Sequence, residues 1–99
     1  EAEVVETPTT KAALNATSPG IELDLRGERV EGGLDRMDQY LDQAFLAGLP
    51  WVRIIHGKGT GRMRSAVRKI LTKHRYVNSW EEGKDGEGGS GVTVAKFKE

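Results

Sequence analysis

From Val30 to Ala47 the apolar positions Val30, Leu34, Met37, Leu41, Ala44 and Phe45 advance in steps of three and four residues. That spacing lines one side of a helix, with Asp35, Asp38 and Asp42 on the other. Gly48 suits the position just past a helix end, and Pro50 prevents the helix from resuming. Met63, Val67, Ile70 and Leu71 repeat the helical spacing and predict a second helix running to about Arg75. Elsewhere the rhythm is that of strands. Ile21, Leu23 and Leu25 alternate with polar neighbours over Glu22–Leu25, and Gly27 ends the run. Val52–Ile55, between Trp51 and His56, is a compact stretch of β-formers that reads as a buried strand. Tyr76–Glu82 and Val92–Phe97 read as two further strands, with the glycine-rich EGKDGEGGSG between them as a flexible hairpin loop. The order β-α-β-α-β-β predicts an α/β, or α+β sandwich, domain: one mixed four-stranded sheet packed with two helices.

Residues 1–20 carry no such pattern. They are rich in Thr, Ala and Glu, include Pro8 and the Pro19–Gly20 pair, and are expected to form a flexible linker ahead of a domain at 21–99. A chain of 99 residues has room for one small core. The missing initiator Met suggests a piece of a longer protein, and no apolar stretch forms a signal peptide. No run approaches the roughly 20 apolar residues of a membrane span, so no membrane partner is expected. The absence of Cys rules out disulfides and thiolate metal sites and fits a reducing, cytoplasmic setting.

Charge changes the picture. The net charge is zero, yet eight basic residues and no acidic ones lie between Trp51 and Trp80. Arg53, Lys58, Arg62, Arg64, Arg68, Lys69, Lys73 and Arg75 form a block balanced by acidic flanks, the footprint of a nucleic-acid contact or of a solvated helix face.

Two segments carry candidate chemistry, ELDLRG at 22–27 and HGKGTGRMR at 56–64. Each lies where a strand ends and the chain turns toward a helix. If the first two strands are parallel neighbours, both segments lie on one edge of the sheet, where open α/β sheets bind ligands. Asp24 and Arg26 would then share a crevice with His56 and Lys58. In the loop, Gly57, Gly59 and Gly61 permit close backbone approach, and the helix that follows directs free amides at an anion. Lys58 and Arg62 add charge, and Thr60 lies between the last two glycines. The spacing is neither a Walker loop nor a dinucleotide fingerprint, since Arg62 stands where the third glycine would be. The bland alternative is a tight strand-to-helix turn. His56 is either a general acid or base or a buried strand-end residue bonded to a carbonyl. Asp24 either orients His56, activates water or binds a cation, or else simply pairs with Arg26. His74 is expected at the surface near the helix C-terminus, and Trp51 and Trp80 in packing roles.

Taken together, LDLRG at 23–27, LAGLP at 46–50, VRIIHGKGTG at 52–61 and GGSGVTVAKF at 88–97 resemble the Smr (small MutS-related) domain, specifically the C-terminal domain of the second bacterial class of MutS-type ATPases. The resemblance covers about residues 21–97. It implies a fold similar to the C-terminal domain of translation initiation factor three. It also implies nicking or RNA-cleaving endonuclease activity on DNA, branched or duplex, or on RNA, with Asp24 and His56 matching residues implicated in function. Many relatives carry His where this chain has Arg26, so a role assigned to that His does not transfer. In this scheme Asp24, Arg26, His56 and Lys58 are catalytic, while Gly57, Gly59, Thr60, Gly61, Arg62, Arg64 and Arg68 hold the backbone. Asp24 is a candidate ligand for Mg²⁺ or Mn²⁺, although the few nearby carboxylates supply a two-metal mechanism poorly. The family also implies the ribosome and the ATPase domains of a parent chain as partners. The alternative is a non-catalytic RNA- or ribosome-binding module.

Overall fold

The computed structural model describes residues 18–84, 86 and 88–99. The expected linker therefore lies, apart from its last three residues, outside the described residues. Four strands and two helices follow in the predicted order: β1 (Glu22–Asp24), α1 (Val30–Leu46), β2 (Trp51–Ile55), α2 (Arg62–Lys73), β3 (Val77–Glu82) and β4 (Val92–Phe97). The sheet order is β1-β2-β4-β3, with β1 parallel to β2 and β4 antiparallel to both of its neighbours. The sheet is thus mixed and four-stranded.

Strand alternation divides the sheet into two faces. Leu23, Val52, Ile54, Val77, Ala95 and Phe97 point to one side and join Met37, Tyr40, Leu41 and Ala44 of α1 and Val67 and Leu71 of α2 in a single core. Both helices therefore cover the same face. The other face carries Glu22, Asp24, Trp51, Arg53, Ile55, Glu81 and Lys96, none of them buried. Each fully buried Leu, Val or Met in the core contributes about 1.5–3 kcal/mol, so this packing fixes where the strand ends lie.

Local chemistry sets the boundaries. Gly48 has φ +81, its N–H reaches Phe45 O at 3.0 Å, and Leu49 N–H reaches Ala44 O at 3.1 Å. This pair of bonds closes the C-terminus of α1 as the Gly48–Pro50 pattern predicts. Inside α1, Gly33 lies close under α2: a Cβ there would lie 2.7 Å from the Met63 methyl, so that side chain would have to shift. The second helix stops at Lys73, two residues short of the expected end, because His74 is extended (ψ 133). Its ring is also less exposed than a surface site implies. The Nδ1 atom accepts the Tyr76 N–H at 3.1 Å, and Nε2 lies 3.5 Å from Asp38 of α1. The last part of the expected hairpin loop is ordered as a 3₁₀ turn, Gly89–Gly91, leading directly into β4.

Candidate active site at the sheet edge

The parallel pairing of β1 with β2 aligns Asp24 with Ile55 and brings Leu25 N–H to Ile55 O at 2.7 Å. The two candidate segments accordingly leave the sheet side by side. Gly57, at φ +82, lets the Arg26 stem lie across it: a Cβ on Gly57 would sit 3.3 Å from Arg26 Cγ. Only glycine combines that φ with that approach.

Asp24 and Arg26 form a bidentate pair, with Nε to Oδ1 at 3.0 Å and an Nη to Oδ2 at 2.8 Å. The Arg26 N–H adds a third bond to Oδ1 at 3.0 Å. These side-chain and backbone bonds, with the guanidinium charge behind them, hold the Asp24 carboxyl down at about 2. Both side chains are exposed, and Arg36 closes the back of the turn by donating to Asp24 O at 3.2 Å and pairing with Glu28.

His56 is built differently. It is 7% exposed and faces the helix layer, because the pleat that points Asp24 and Ile55 to the open face turns the next residue under. Its Nδ1 lies 3.0 Å from Gly57 O, and its Nε2 lies 2.8 Å from the Thr93 hydroxyl of β4. Arg68 of α2 donates to the same hydroxyl from Nε at 3.0 Å, approaches Glu82 at 3.4 Å, and stacks its guanidinium over Trp80 at 4.9 Å. Burial lowers the His56 pKa below its usual 6.5, and the positive charges of Arg68 and Arg64 push the same way. The Gly57 carbonyl and Glu82 oppose the shift without reversing it.

The structure therefore brings Asp24 to Arg26, Arg26 to Gly57, and His56 to Thr93 and Arg68. Asp24 and His56 do not bond to each other; they flank the edge from opposite faces of the sheet. One expectation needs correction. The Gly57 amide is not free for an anion, since Gly91 O accepts both it and the His56 amide, at 2.9 and 3.0 Å. Among the described residues the amides of Lys58, Gly59, Thr60 and Gly61 have no such partner, and Thr60 Oγ1 accepts the Arg62 N–H at 3.3 Å. A surface hollow lined by Thr60, Gly61, Arg62, Ser65 and Lys69 opens where this loop enters α2. Arg64 folds back over Gly61, where a Cβ would stand 2.9 Å from its guanidinium. Arg62, Lys69 and Lys73 form the outer cationic side of α2, whereas Arg68 is turned inward.

The donor set fits a divalent ion poorly. Among the described residues no three His, Asp or Glu side chains cluster, and both Asp24 oxygens already accept Arg26 hydrogens. Sequence reasoning did not single out Thr93, Glu82 or Gly91. All three come from the distant β3–β4 hairpin, where Val92–Phe97 reads as a strand and GGSGVTVAKF carries part of the family resemblance, but neither signal gives these residues a role. Among the described residues no helix is long and apolar enough to cross a membrane.

A mixed four-stranded sheet covered on one face by two helices, with a cation-flanked glycine loop where its parallel strands end, defines a small α/β domain. The chain belongs to the Smr domain family, whose pattern it matches over residues 23–98. It is 58% identical over 78 residues to the endonuclease MutS2 of Bacillus velezensis and 53% identical over 79 residues to that of a Geobacillus strain. These alignments take in 79% and 80% of this chain but only 10% of either relative. The crystal structure of the Smr domain of Thermus thermophilus MutS2 superposes with a TM-score of 0.78 at 42% identity, covering 81% of this chain and all of that one. The stand-alone small MutS-related protein YdaL of Escherichia coli superposes with a TM-score of 0.75 at 26% identity, covering 95% of this chain and 80% of the other.

Proposed function

We propose that this domain binds the sugar–phosphate backbone of DNA or RNA along the edge formed by residues 57–61 and the start of α2, and cleaves it there with little sequence preference. The observation that carries the reading is that the exposed Asp24–Arg26 pair lies against Gly57, at the start of a loop with exposed Lys58 that enters α2 at Arg62 and whose 58–61 amides have no partner among the described residues. Amides at a helix N-terminus together with cations hold a phosphate and stabilise the charge that grows on it during displacement. Asp24 stays ionised throughout the physiological range, so its part is to orient Arg26 rather than to donate a proton. His56 is the group at the edge suited to handling protons near neutral pH. The relatives named endonuclease support a nuclease chemistry. The ribosome, ATPase domains in a longer chain and a cytoplasmic setting belong to the same proposal.

The second reading is a binding module without catalysis. It is favoured by one observation: both ring nitrogens of His56 are engaged internally. Incubating the chain with labelled DNA and RNA, in Mg²⁺, Mn²⁺ or EDTA, separates the two. Cleavage by the wild-type chain that falls by about 100-fold or more in His56→Ala supports the enzyme. Binding without cleavage under every condition supports the module. In either case binding should weaken steeply with salt, and Arg62→Ala with Lys69→Ala should flatten that dependence by about two phosphate contacts. A salt-insensitive affinity would contradict backbone recognition.

A further inference from the structure

Thr93 and Arg68 lie outside both motifs, yet together they account for the state of the His56 ring. Thr93 is fully buried on β4, in register with Ile54 of β2. An arginine Nε can only donate, so the Thr93 oxygen accepts from Arg68 at 3.0 Å. That oxygen keeps a second lone pair, so the direction of its 2.8 Å bond to His56 Nε2 is set by the far side of the ring, and a neutral ring with its hydrogen on Nδ1 takes the hydroxyl hydrogen at Nε2. On the other side of the ring the Gly57 carbonyl can only accept, so Nδ1 carries the hydrogen at 3.0 Å. These roles satisfy every polar atom with a neutral imidazole protonated on Nδ1. Arg68 is held in turn by Glu82 and by the Trp80 ring.

We infer that Thr93 and Arg68 are positioning residues for His56: by supplying Nε2 with a donor they fix the ring as the neutral Nδ1–H tautomer, so the nitrogen facing the glycine loop offers a hydrogen rather than a lone pair. The inference deepens the proposed function and rests on His56 belonging to that site. In the resting domain that hydrogen is given to the Gly57 carbonyl, so His56 would meet a phosphate or departing oxygen as a hydrogen-bond donor by exchanging that bond for the ligand, as preorganised neutral imidazoles donate in other enzymes. Proton uptake at Nε2 requires only that the Thr93 hydroxyl turn its hydrogen away, since its oxygen can accept from both Arg68 and an imidazolium.

The chain contains a built-in control. Its second histidine, His74, accepts the Tyr76 N–H at Nδ1 and must therefore carry its hydrogen on Nε2 when neutral. Nitrogen NMR of ring-labelled histidine in the whole chain should show His56 with a protonated Nδ1 and His74 with the reverse pattern. Thr93→Val keeps the β-branched shape but removes the donor. In that variant the His56 Nε2 signal should move and the Nε2–H form should become populated, whereas Thr93→Ser should restore the wild-type pattern. The charged groups facing His56 are Arg64 and Arg68 from α2 and Glu82 from β3. Arg68→Gln should therefore raise the His56 titration midpoint. An Nε2–H ring in the wild type, or a Thr93→Val spectrum identical to wild type, overturns the inference. Cleavage is a separate arm: Thr93→Val should lower it by about 10-fold or more and Thr93→Ser should recover most of it, the lower end of what a positioned proton-handling group contributes being about 100-fold. If the chain binds nucleic acid but never cleaves it, the nuclease reading fails while the spectra still decide the ring.

Discussion

The two strand ends that meet at the edge are built on opposite plans. At the end of β1, Asp24 and Arg26 are two positions apart, pair through solvent-exposed atoms, and owe their geometry to a local turn. At the end of β2, His56 is buried and bonded to Thr93, 37 positions away, which is bonded in turn to Arg68 on a helix. Exposed ion pairs are weak and exchangeable, so the first end can release its partner to an incoming phosphate. Buried networks are costly to leave unsatisfied, so the second end is rigid. A site that joins a yielding cation to a fixed neutral ring can admit a polyanion without letting its proton-handling group drift.

The largest effect that would break this comparison is on stability. His56→Ala removes the buried acceptor of the Thr93 hydroxyl hydrogen, while Arg68 keeps its bond to the Thr93 oxygen, and leaving that donor unsatisfied costs about 1–3 kcal/mol. For a domain of this size that lowers Tm by roughly 4–8 °C per kcal/mol, readable by calorimetry. Arg26→Ala should leave Tm nearly unchanged, and an equal drop in both variants would erase the distinction between the two ends.

Smaller, and of defined sign, is the effect of pH. The His56 pKa is lowered by burial and by Arg68, so between its folded value and 6.5 the unfolded chain binds more protons than the folded one. The associated stability is complete above 6.5 and declines as pH falls through that window toward the folded pKa. Chemical denaturation at a series of pH values should show this decline in wild type and lose it in His56→Ala. A decline of the same size in both would assign it to other groups.

Smallest is the titration of Asp24. Its carboxyl should titrate near 2 and move back toward 3.8 in Arg26→Ala. High salt should give part of the same upward movement, because an exposed pair is screened. Carbon NMR of the Asp24 carboxyl reads all three. A midpoint that ignores both Arg26 and salt would mean that something other than this pair holds it down.

How much of this could be read from the chain alone follows the same division. The helix stripes from Val30 and Met63, the Gly48–Pro50 stop, the β1 alternation and the β-forming runs at Val52–Ile55, Tyr76–Glu82 and Val92–Phe97 are short-range patterns, and all four strands and both helices follow from them. The Asp24–Arg26 pair, two residues apart, was among the alternatives that the sequence offers. So was a buried His56 bonded to a carbonyl. Thr93, Glu82 and Gly91 were not legible, since only the β1-β2-β4-β3 order places the last strand beside the second. The same order takes the Gly57 amide away from the phosphate loop and turns Arg68 inward, which a charge count along α2 cannot show.

The central claim is that this edge both holds and cleaves a nucleic-acid backbone, with Asp24 acting through Arg26. Single-turnover cleavage of one labelled strand by wild type and Asp24→Asn, with binding measured in the same samples, tests it most directly. Asp24→Asn preserves shape but removes the charge that aims the guanidinium, so the cleavage rate should fall by about 100-fold while affinity changes by less than about threefold. Wild-type cleavage by Asp24→Asn, or a parallel loss of binding and cleavage in a folded variant, would contradict the account.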